Sequence, residues 1–202
     1  MSSSRYLRGD LLEAIARNAL KKYDPHLVIG MGVQRVPIEE IIESMGLTIE
    51  YQYIRRDGRI LGETVFDDGY IPLYDIKKRK YGLFFMSRGT IIIDASLLGD
   101  KTDSRLRFTC AHELAHWLIH QELYRGSGEA AAMANNISKS SDTDRCIERQ
   151  ADILAGALLM PIGKVKQAFY RISGENGIEV LAKEFGVSKE SMKIRLREHG
   201  LI

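Results

Sequence analysis

Two histidines and a glutamate follow the order H-E-x-x-H within RFTCAHELAHWLIH, residues 107–120. On a helix, His112 and His116 lie on one face, about 6 Å apart along the axis. Two imidazoles at this spacing can bind one zinc ion. Glu113 lies at the edge of the same face, where it can act as a general base on a metal-bound water. The motif therefore predicts two metal ligands and a proton acceptor.

The same three residues would also suit the solvated polar face of an ordinary surface helix. The flanking residues favour the metal site, because they are apolar and predict a helix of the core: Phe108, Leu114, Trp117, Leu118 and Ile119. Polar groups on a core helix need partners. A divalent metal ion is one such partner.

A hydrolytic zinc site takes three protein ligands and leaves one position open. Glu148 is the best third candidate, since it lies on the next long predicted helix, in the segment ERQAD. Asp152 follows one turn later, where it can accept the free ring N–H of a ligand histidine and fix its tautomer. The alternative for Asp152 is a solvated charge or a helix cap.

Composition limits the class of protein. The chain of 202 residues can bury the core of one domain, and 45% hydrophobic with 28% charged residues is typical of a soluble globular protein. A net charge of +2 does not by itself indicate a nucleic-acid or membrane partner. Without a long apolar run or a signal-peptide pattern, we expect a cytoplasmic protein. The two cysteines, Cys110 and Cys146, are expected to be core residues rather than a redox switch.

Hydrophobic periodicity predicts an α+β fold with a small, twisted, antiparallel-rich sheet. Strands are predicted at residues 47–54, 62–66, 70–74, 80–86 and 90–94. Helices are predicted at residues 4–23, 37–45, 104–123, 144–160, 162–172, 178–185 and 188–198. Pro37 is expected at the first helical position, and Asp103 or Ser104 as the cap of the helix with the H-E-x-x-H motif. A long polar loop is predicted over residues 126–144.

Four basic residues, Lys77 to Lys80, lie at one of the predicted turns. A nucleic-acid interface normally combines basic residues with aromatic ones over a wider face. No aromatic residue interleaves with this run, so a solvated hairpin is the favoured interpretation.

The stretch RFTCAHELAHWLIH, followed by E-x-x-A-D-x-x-A-x-x-LLMP ending at Pro161, resembles the ImmA/IrrE family of zinc metallopeptidases. Looser similarity, including ILGE around Gly62 and the C-terminal LAKEFGVSKESMKIRLREHGLI, extends over nearly the whole chain. Two positions depart from the family pattern: Asp152 stands where asparagine is commoner, and Leu154 where phenylalanine is.

The resemblance implies a zincin-like endopeptidase that holds one zinc ion through His112, His116 and Glu148, with Glu113 as the catalytic base. It also implies a catalytic domain over residues 1–160 and a helical, helix-turn-helix-like subdomain over residues 161–202 packed on it. The implied substrate is a separate helix-turn-helix repressor of a mobile element or stress regulon, which makes the protein an anti-repressor. A peptide substrate is expected to add to the strand at residues 91–94 as an extra strand.

The donor that stabilises the oxyanion is left open between Tyr124, Tyr170, His120 and nearby arginines. His120 lies about 12 Å along the helix from His112, too far to bind the same metal. It is expected to line the cleft or to end the helix.

Two other functions compete with peptidase activity. Residues 181–196 have the apolar spacing of a helix-turn-helix, but the basic excess on the second helix is modest, so DNA binding is not favoured. A zinc-holding interaction protein, such as an antitoxin-like partner, would not need the base Glu113.

Overall fold

The computed structural model describes residues 7–99, 103–124, 142–172 and 177–202. Most of the loop predicted over residues 126–144 and the first residues of the predicted N-terminal helix lie outside these ranges. No helix in the described part of the chain has the length and apolarity needed to cross a membrane.

The described residues form seven α-helices and five strands, and the predicted α+β class is confirmed. The helices are α1 (Gly9–Tyr23), α2 (Ile38–Ser44), α3 (Ser104–Tyr124), α4 (Asp142–Leu159), α5 (Ile162–Arg171), α6 (Gly177–Phe185) and α7 (Lys189–Glu198). The strands are β1 (Thr48–Gln52), β2 (Gly62–Thr64), β3 (Gly69–Asp75), β4 (Lys80–Met86) and β5 (Thr90–Asp94). Pro37 precedes α2 as its cap, so its prediction as the first helical residue is one position off.

The strands form a three-stranded sheet in the order β1-β5-β2 and a separate β3–β4 hairpin. Strand β5 runs parallel to β1 and antiparallel to β2. A parallel pair of strands requires a long crossover connection. Here the segment between β1 and β5, which contains β2, β3 and β4, forms this connection. The sequence predicted an antiparallel-rich sheet and did not identify this parallel pair.

The central place of β5 corrects the expected site of substrate addition. Both edges of β5 are paired, so a peptide cannot add to residues 91–94 as a further strand. Among the described residues, β2 pairs with β5 alone, which makes β2 an edge of the sheet.

The two faces of the three-stranded sheet pack against different layers. Ile91 and Ile93 belong to the main hydrophobic cluster, which includes buried residues of α3 and α4. Ile92 points the other way, as alternation along a strand requires, and packs with Ile71 and Leu73 of the hairpin. The sheet therefore lies between α3 and the hairpin.

The C-terminal helices share the main hydrophobic cluster with the rest of the chain. Arg195 of α7 is 2% exposed and donates to the Met160 carbonyl, at 2.9 and 3.0 Å, and to both carboxylate oxygens of Glu13 on α1. This guanidinium therefore links α7 to α1 and to the end of α4. The division into domains at residue 160 stays a prediction.

Candidate metal centre

Helix α3 carries both histidines of the motif. Its buried residues Cys110, Ala111, Leu114 and Ala115 hold it within the main cluster. The His116 side chain is 1% exposed and that of His112 is 17% exposed. Their Nε2 atoms face each other at 3.0 Å.

Helix α4 brings Glu148 to the same point. Its Oε2 atom lies 3.4 Å from His112 Nε2, and its Oε1 atom lies 3.6 Å from His116 Nε2. Ligands bound tetrahedrally at about 2.0–2.1 Å are separated from one another by roughly 3.3 Å. The separations in the chain are close to this value, so the two imidazoles and the carboxylate fit a single divalent metal ion.

The other ring nitrogen of each histidine is also engaged. His112 Nδ1 lies 3.0 Å from Asp152 Oδ1, and because a carboxylate accepts, the imidazole donates. His116 Nδ1 lies 3.0 Å from His120 Nδ1. A proton on each Nδ1 leaves both Nε2 atoms as lone-pair donors that can bind a metal.

His120 corrects one expectation from the sequence. It does not line a cleft or end the helix, because it is 2% exposed beneath His116 and α3 continues to Tyr124. Burial lowers the pKa of His120 to about 4, so the ring is neutral at pH 7 and can accept the His116 proton. Its spacing of four residues placed it on the same helix face, but its role depends on burial that the spacing does not reveal.

The pKa of His112 is set by opposing influences. Burial by itself lowers it, but hydrogen bonds with Asp152 and then Glu148 outweigh burial and raise the pKa to about 10. In the metal-free chain this imidazole is therefore protonated at neutral pH. A metal ion that binds its Nε2 must displace that proton.

Glu113 lies beside this group with its own supports. The residue is 5% exposed, and Thr64 Oγ1 of β2 lies 2.7 Å from its Oε2 atom and 3.0 Å from its main-chain oxygen. A Cβ atom on Gly62 would lie 2.5 Å from Glu113 Oε1 and 2.8 Å from Thr109 Cγ2. Only a glycine allows the strand to approach the carboxylate this closely.

The sequence did not mark Thr64 as a functional residue, and it marked Gly62 through the family resemblance alone. The one signal that connects them is strand alternation, which places residues 62 and 64 on the same face of β2. The contact of that face with α3 is tertiary and has no sequence pattern.

The candidate oxyanion donors lie in different places. Tyr124 stacks on Phe66 with ring centroids 5.1 Å apart, and burial, followed by the charge of Glu148, raises its pKa to about 12. Tyr170 lies on α5 and is 76% exposed. His120 lies behind a ligand histidine. The charge of Glu148 acts on both Tyr124 and His120, and of these two only Tyr124 is not placed behind a ligand histidine.

The two cysteines differ in burial and are not joined. Cys110 is buried, as predicted, and burial raises the pKa of its thiol to about 12. Cys146 is half-buried and accepts a hydrogen bond from Gln150 Nε2 at 3.2 Å.

Comparison with known proteins identifies a family and solved structures of similar fold. Residues 73–197 match the family model Peptidase_M78, described as the IrrE N-terminal-like domain. The solved structure of a Mycobacterium tuberculosis transcriptional regulator is similar in fold, with a TM-score of 0.51 and 15% sequence identity. That match covers 96% of this chain and 57% of the regulator, so the chain spans little more than half of its length. A search of curated proteins found no match.

Proposed function

Since the family match spans more than half of the 202 residues, the chain belongs to the Peptidase_M78 family, and on this premise we propose that it is a zinc-dependent endopeptidase. The observation that carries the proposal is the convergence of His112 Nε2, His116 Nε2 and the Glu148 carboxylate within 4.8 Å of one another. Two nitrogens and one carboxylate form a ligand set typical of catalytic zinc. Glu113, held beside them, supplies the base that a purely structural metal site does not require.

His112, His116 and Glu148 would hold the zinc ion. When bound, zinc supplies Lewis-acid polarisation of a peptide carbonyl and of a water molecule. Glu113 takes the proton from the attacking water and returns it to the leaving amine. The Thr64 hydroxyl orients the Glu113 carboxylate for both transfers, while Asp152 and His120 fix the tautomers of the two ligand histidines.

We place the substrate backbone beside β2, which is an edge strand among the described residues although its Glu63 and Thr64 are at most 1% exposed. This strand carries Gly62 and Thr64, both in contact with Glu113, so a peptide paired with it would lie next to the base. Main-chain hydrogen bonds to a sheet edge hold an extended peptide without reading most of its side chains. Selectivity for one protein then requires further contacts outside this edge.

The proposed substrate is a separate helix-turn-helix repressor of a mobile element or stress regulon. Support for it comes from the sequence resemblance to the ImmA/IrrE family. The similarity to a transcriptional regulator at 15% identity adds support for the fold alone.

The test combines the zinc-loaded chain with a helix-turn-helix repressor encoded beside its gene. We expect cleavage of the repressor at one defined bond. Mass spectrometry of the fragments identifies that bond. The Glu113→Gln variant should bind the same amount of zinc and cleave nothing. Equal cleavage by this variant, or less than about one equivalent of zinc in the wild type, would contradict the proposal.

The alternative of a DNA-binding second helix receives little support from α7. Arg195 is buried in its pair with Glu13, and Lys189 pairs with Glu179 at 2.8 Å. Two of the four cations of α7, which are Lys189, Lys193, Arg195 and Arg197, therefore have carboxylate partners. We do not carry this function further.

A further inference from the structure

The outward face of the β3–β4 hairpin carries large apolar side chains that are exposed in the described part of the chain. The exposed fractions are 63% for Tyr70, 48% for Tyr81, 70% for Leu83 and 56% for Phe85. The inward face is different, since Ile71 and Leu73 are buried. A soluble protein rarely exposes a contiguous apolar patch without a binding role.

The aromatic residues of this face are arranged in pairs across the hairpin. Tyr70 lies opposite Phe85 and Tyr74 opposite Tyr81 in the strand register. The rings of each pair meet edge to face, with centroids 5.6 and 5.4 Å apart. Tyr74 follows Tyr70 by four residues along the strand, so the two pairs lie about 13 Å apart along the ladder.

Basic residues surround the turn end of this face. The loop at residues 53–59 and the hairpin end at residues 74–81 hold seven basic and two acidic side chains, a formal charge of +5 against +2 for the whole chain. The basic ones are Arg55, Arg56, Arg59, Lys77, Lys78, Arg79 and Lys80, and the two acidic ones are near Arg59 and Lys78, each at 3.5 Å. We call these cations and the outward aromatic residues of the hairpin the hairpin patch.

Specific contacts hold the loop and the turn together. The Arg55 guanidinium carbon lies 5.9 Å from the centre of the Tyr81 ring, and the Arg56 amide donates to the Tyr81 hydroxyl at 3.2 Å. At the turn, Asp75 accepts from the amides of Lys77 and Lys78, both at 3.0 Å. The first two contacts hold the loop against Tyr81 on the outward face, and the bonds to Asp75 fix the turn that carries the lysines.

We propose that the hairpin patch binds single-stranded nucleic acid. Unstacked bases offer flat faces to aromatic rings, and the phosphates that follow them are attracted to the surrounding cations. In a duplex the base faces are stacked on one another. A duplex could therefore contact the cations through its phosphates but could not stack its bases on the aromatic rings. The basic run itself contains no aromatic residue, because the rings lie on the two strands that flank it, from Tyr81 next to Lys80 to Tyr70 seven positions before Lys77.

The hairpin patch is separate from the metal centre. It lies on the hairpin, which covers the face of the sheet opposite α3. The family match begins at residue 73, so it leaves out most of β3, which carries Tyr70. Nucleic-acid binding is therefore an activity additional to peptide cleavage and does not depend on it.

The test is fluorescence anisotropy of the whole chain with a labelled 20-nucleotide oligothymidylate and with a duplex of the same length. We expect tighter binding to the single strand, with an affinity that falls as salt increases. The Lys77→Gln/Lys80→Gln variant should reduce the salt slope by about 1.4, since each phosphate contact on a single strand contributes about 0.7. The Lys193→Gln/Arg197→Gln variant of α7 is the matched control and should leave the slope unchanged.

A second pair of variants distinguishes base stacking on an aromatic ring from nonspecific hydrophobic binding. Phe85→Ala should weaken binding roughly tenfold, the loss typical of one stacked base. Leu83→Ala removes a side chain that is even more exposed on the same face but has no ring, and should change the affinity less than about twofold. Circular dichroism confirms that each variant is folded.

Three results would overturn the proposal. One is duplex binding as tight as single-strand binding, which would indicate phosphate contacts alone. Another is an equal loss with Leu83→Ala and Phe85→Ala, which would indicate an apolar protein partner. The third is the absence of salt-dependent binding by the wild type. None of them bears on zinc binding or on cleavage, which Glu113→Gln tests separately.

Discussion

The two sides of the central sheet use polar residues in opposite ways. On the α3 side, Thr64, Glu113 and His116 are each at most 5% exposed, and every one has a partner fixed by the fold. On the hairpin side, the cations at residues 77–80 are exposed around a small apolar cluster. A buried polar group needs a hydrogen-bond partner within the folded protein, because it has lost its contact with water. An exposed charge is hydrated and needs no partner in the fold. Substitutions should therefore affect activity and folding on the first side and association alone on the second.

The largest effect is expected at Glu113. Changing it to glutamine keeps the size and the hydrogen bond from Thr64 but removes the proton acceptor. We expect the turnover rate to fall by about 10²- to 10⁴-fold, as for the loss of a general base. Cleavage rates at matched zinc occupancy provide the measurement. A fall in zinc content instead of turnover would place Glu113 among the metal ligands.

A smaller effect is expected at Asp152, which contacts a ligand and not the metal. Asp152→Asn should weaken zinc binding about 10- to 100-fold near pH 9. Because hydrogen bonds with Asp152 and Glu148 raise the pKa of His112 to about 10 against the effect of burial, protons compete with zinc in the wild type at lower pH. The variant has less competition, so the difference between the two chains should shrink as pH falls from 9 to 6.

Titrations with a competing chelator at each pH give these affinities. Asp142→Asn is the control, since this residue lies on the same helix and its side chain is fully exposed. Equal loss of affinity in both variants would mean that the general charge of α4, and not the contact with His112, supports the metal.

Two glycine positions test how tightly the α3 side is packed. Gly62→Ala places a Cβ atom within 2.8 Å of Glu113 and Thr109 atoms and should lower the free energy of unfolding by about 1–3 kcal/mol. In Gly156→Ala, the new Cβ meets only Met160 Cε, at 3.9 Å. This helical position should gain about 0.4–1 kcal/mol from reduced freedom of the unfolded chain. Urea unfolding of both variants measures the difference, and a tolerated Gly62→Ala would show that β2 can move away from the base.

The smallest effect is expected on the hairpin side. The Lys77→Gln/Lys80→Gln variant should change the free energy of unfolding by less than about 0.5 kcal/mol, since both side chains are exposed. Thermal unfolding measures it. A larger destabilisation would mean that the charges of the turn hold the fold together, and the contrast between the two sides would no longer hold.

Local patterns in the sequence predicted the elements that carry the candidate site. The H-E-x-x-H spacing and the apolar flanks placed α3, and the strands at residues 80–86 and 90–94 have the bounds that were expected. Glu148 is predictable as a ligand because it lies on the next long helix, and the structure places it beside both histidines.

Contacts between distant segments were not predictable in the same way. The parallel pairing of β5 with β1 depends on where the chain returns after the hairpin. Thr64 and Glu113 are separated by 49 residues, and no periodicity connects them. The exposed aromatic pairs were not predicted, because each pair forms only when β3 and β4 align and bring Tyr70 opposite Phe85 and Tyr74 opposite Tyr81.

The pairing of Arg195 with Glu13 has a consequence for how the protein matures. The two residues are 182 positions apart, and the guanidinium also serves the Met160 carbonyl at the end of α4. When the ribosome has synthesised the chain only as far as α6, Arg195 is still missing. The Glu13 carboxylate and the Met160 carbonyl then lack the guanidinium that later connects α1 to the end of α4. The link between α1 and the end of α4 is thus completed only after α7 has been synthesised.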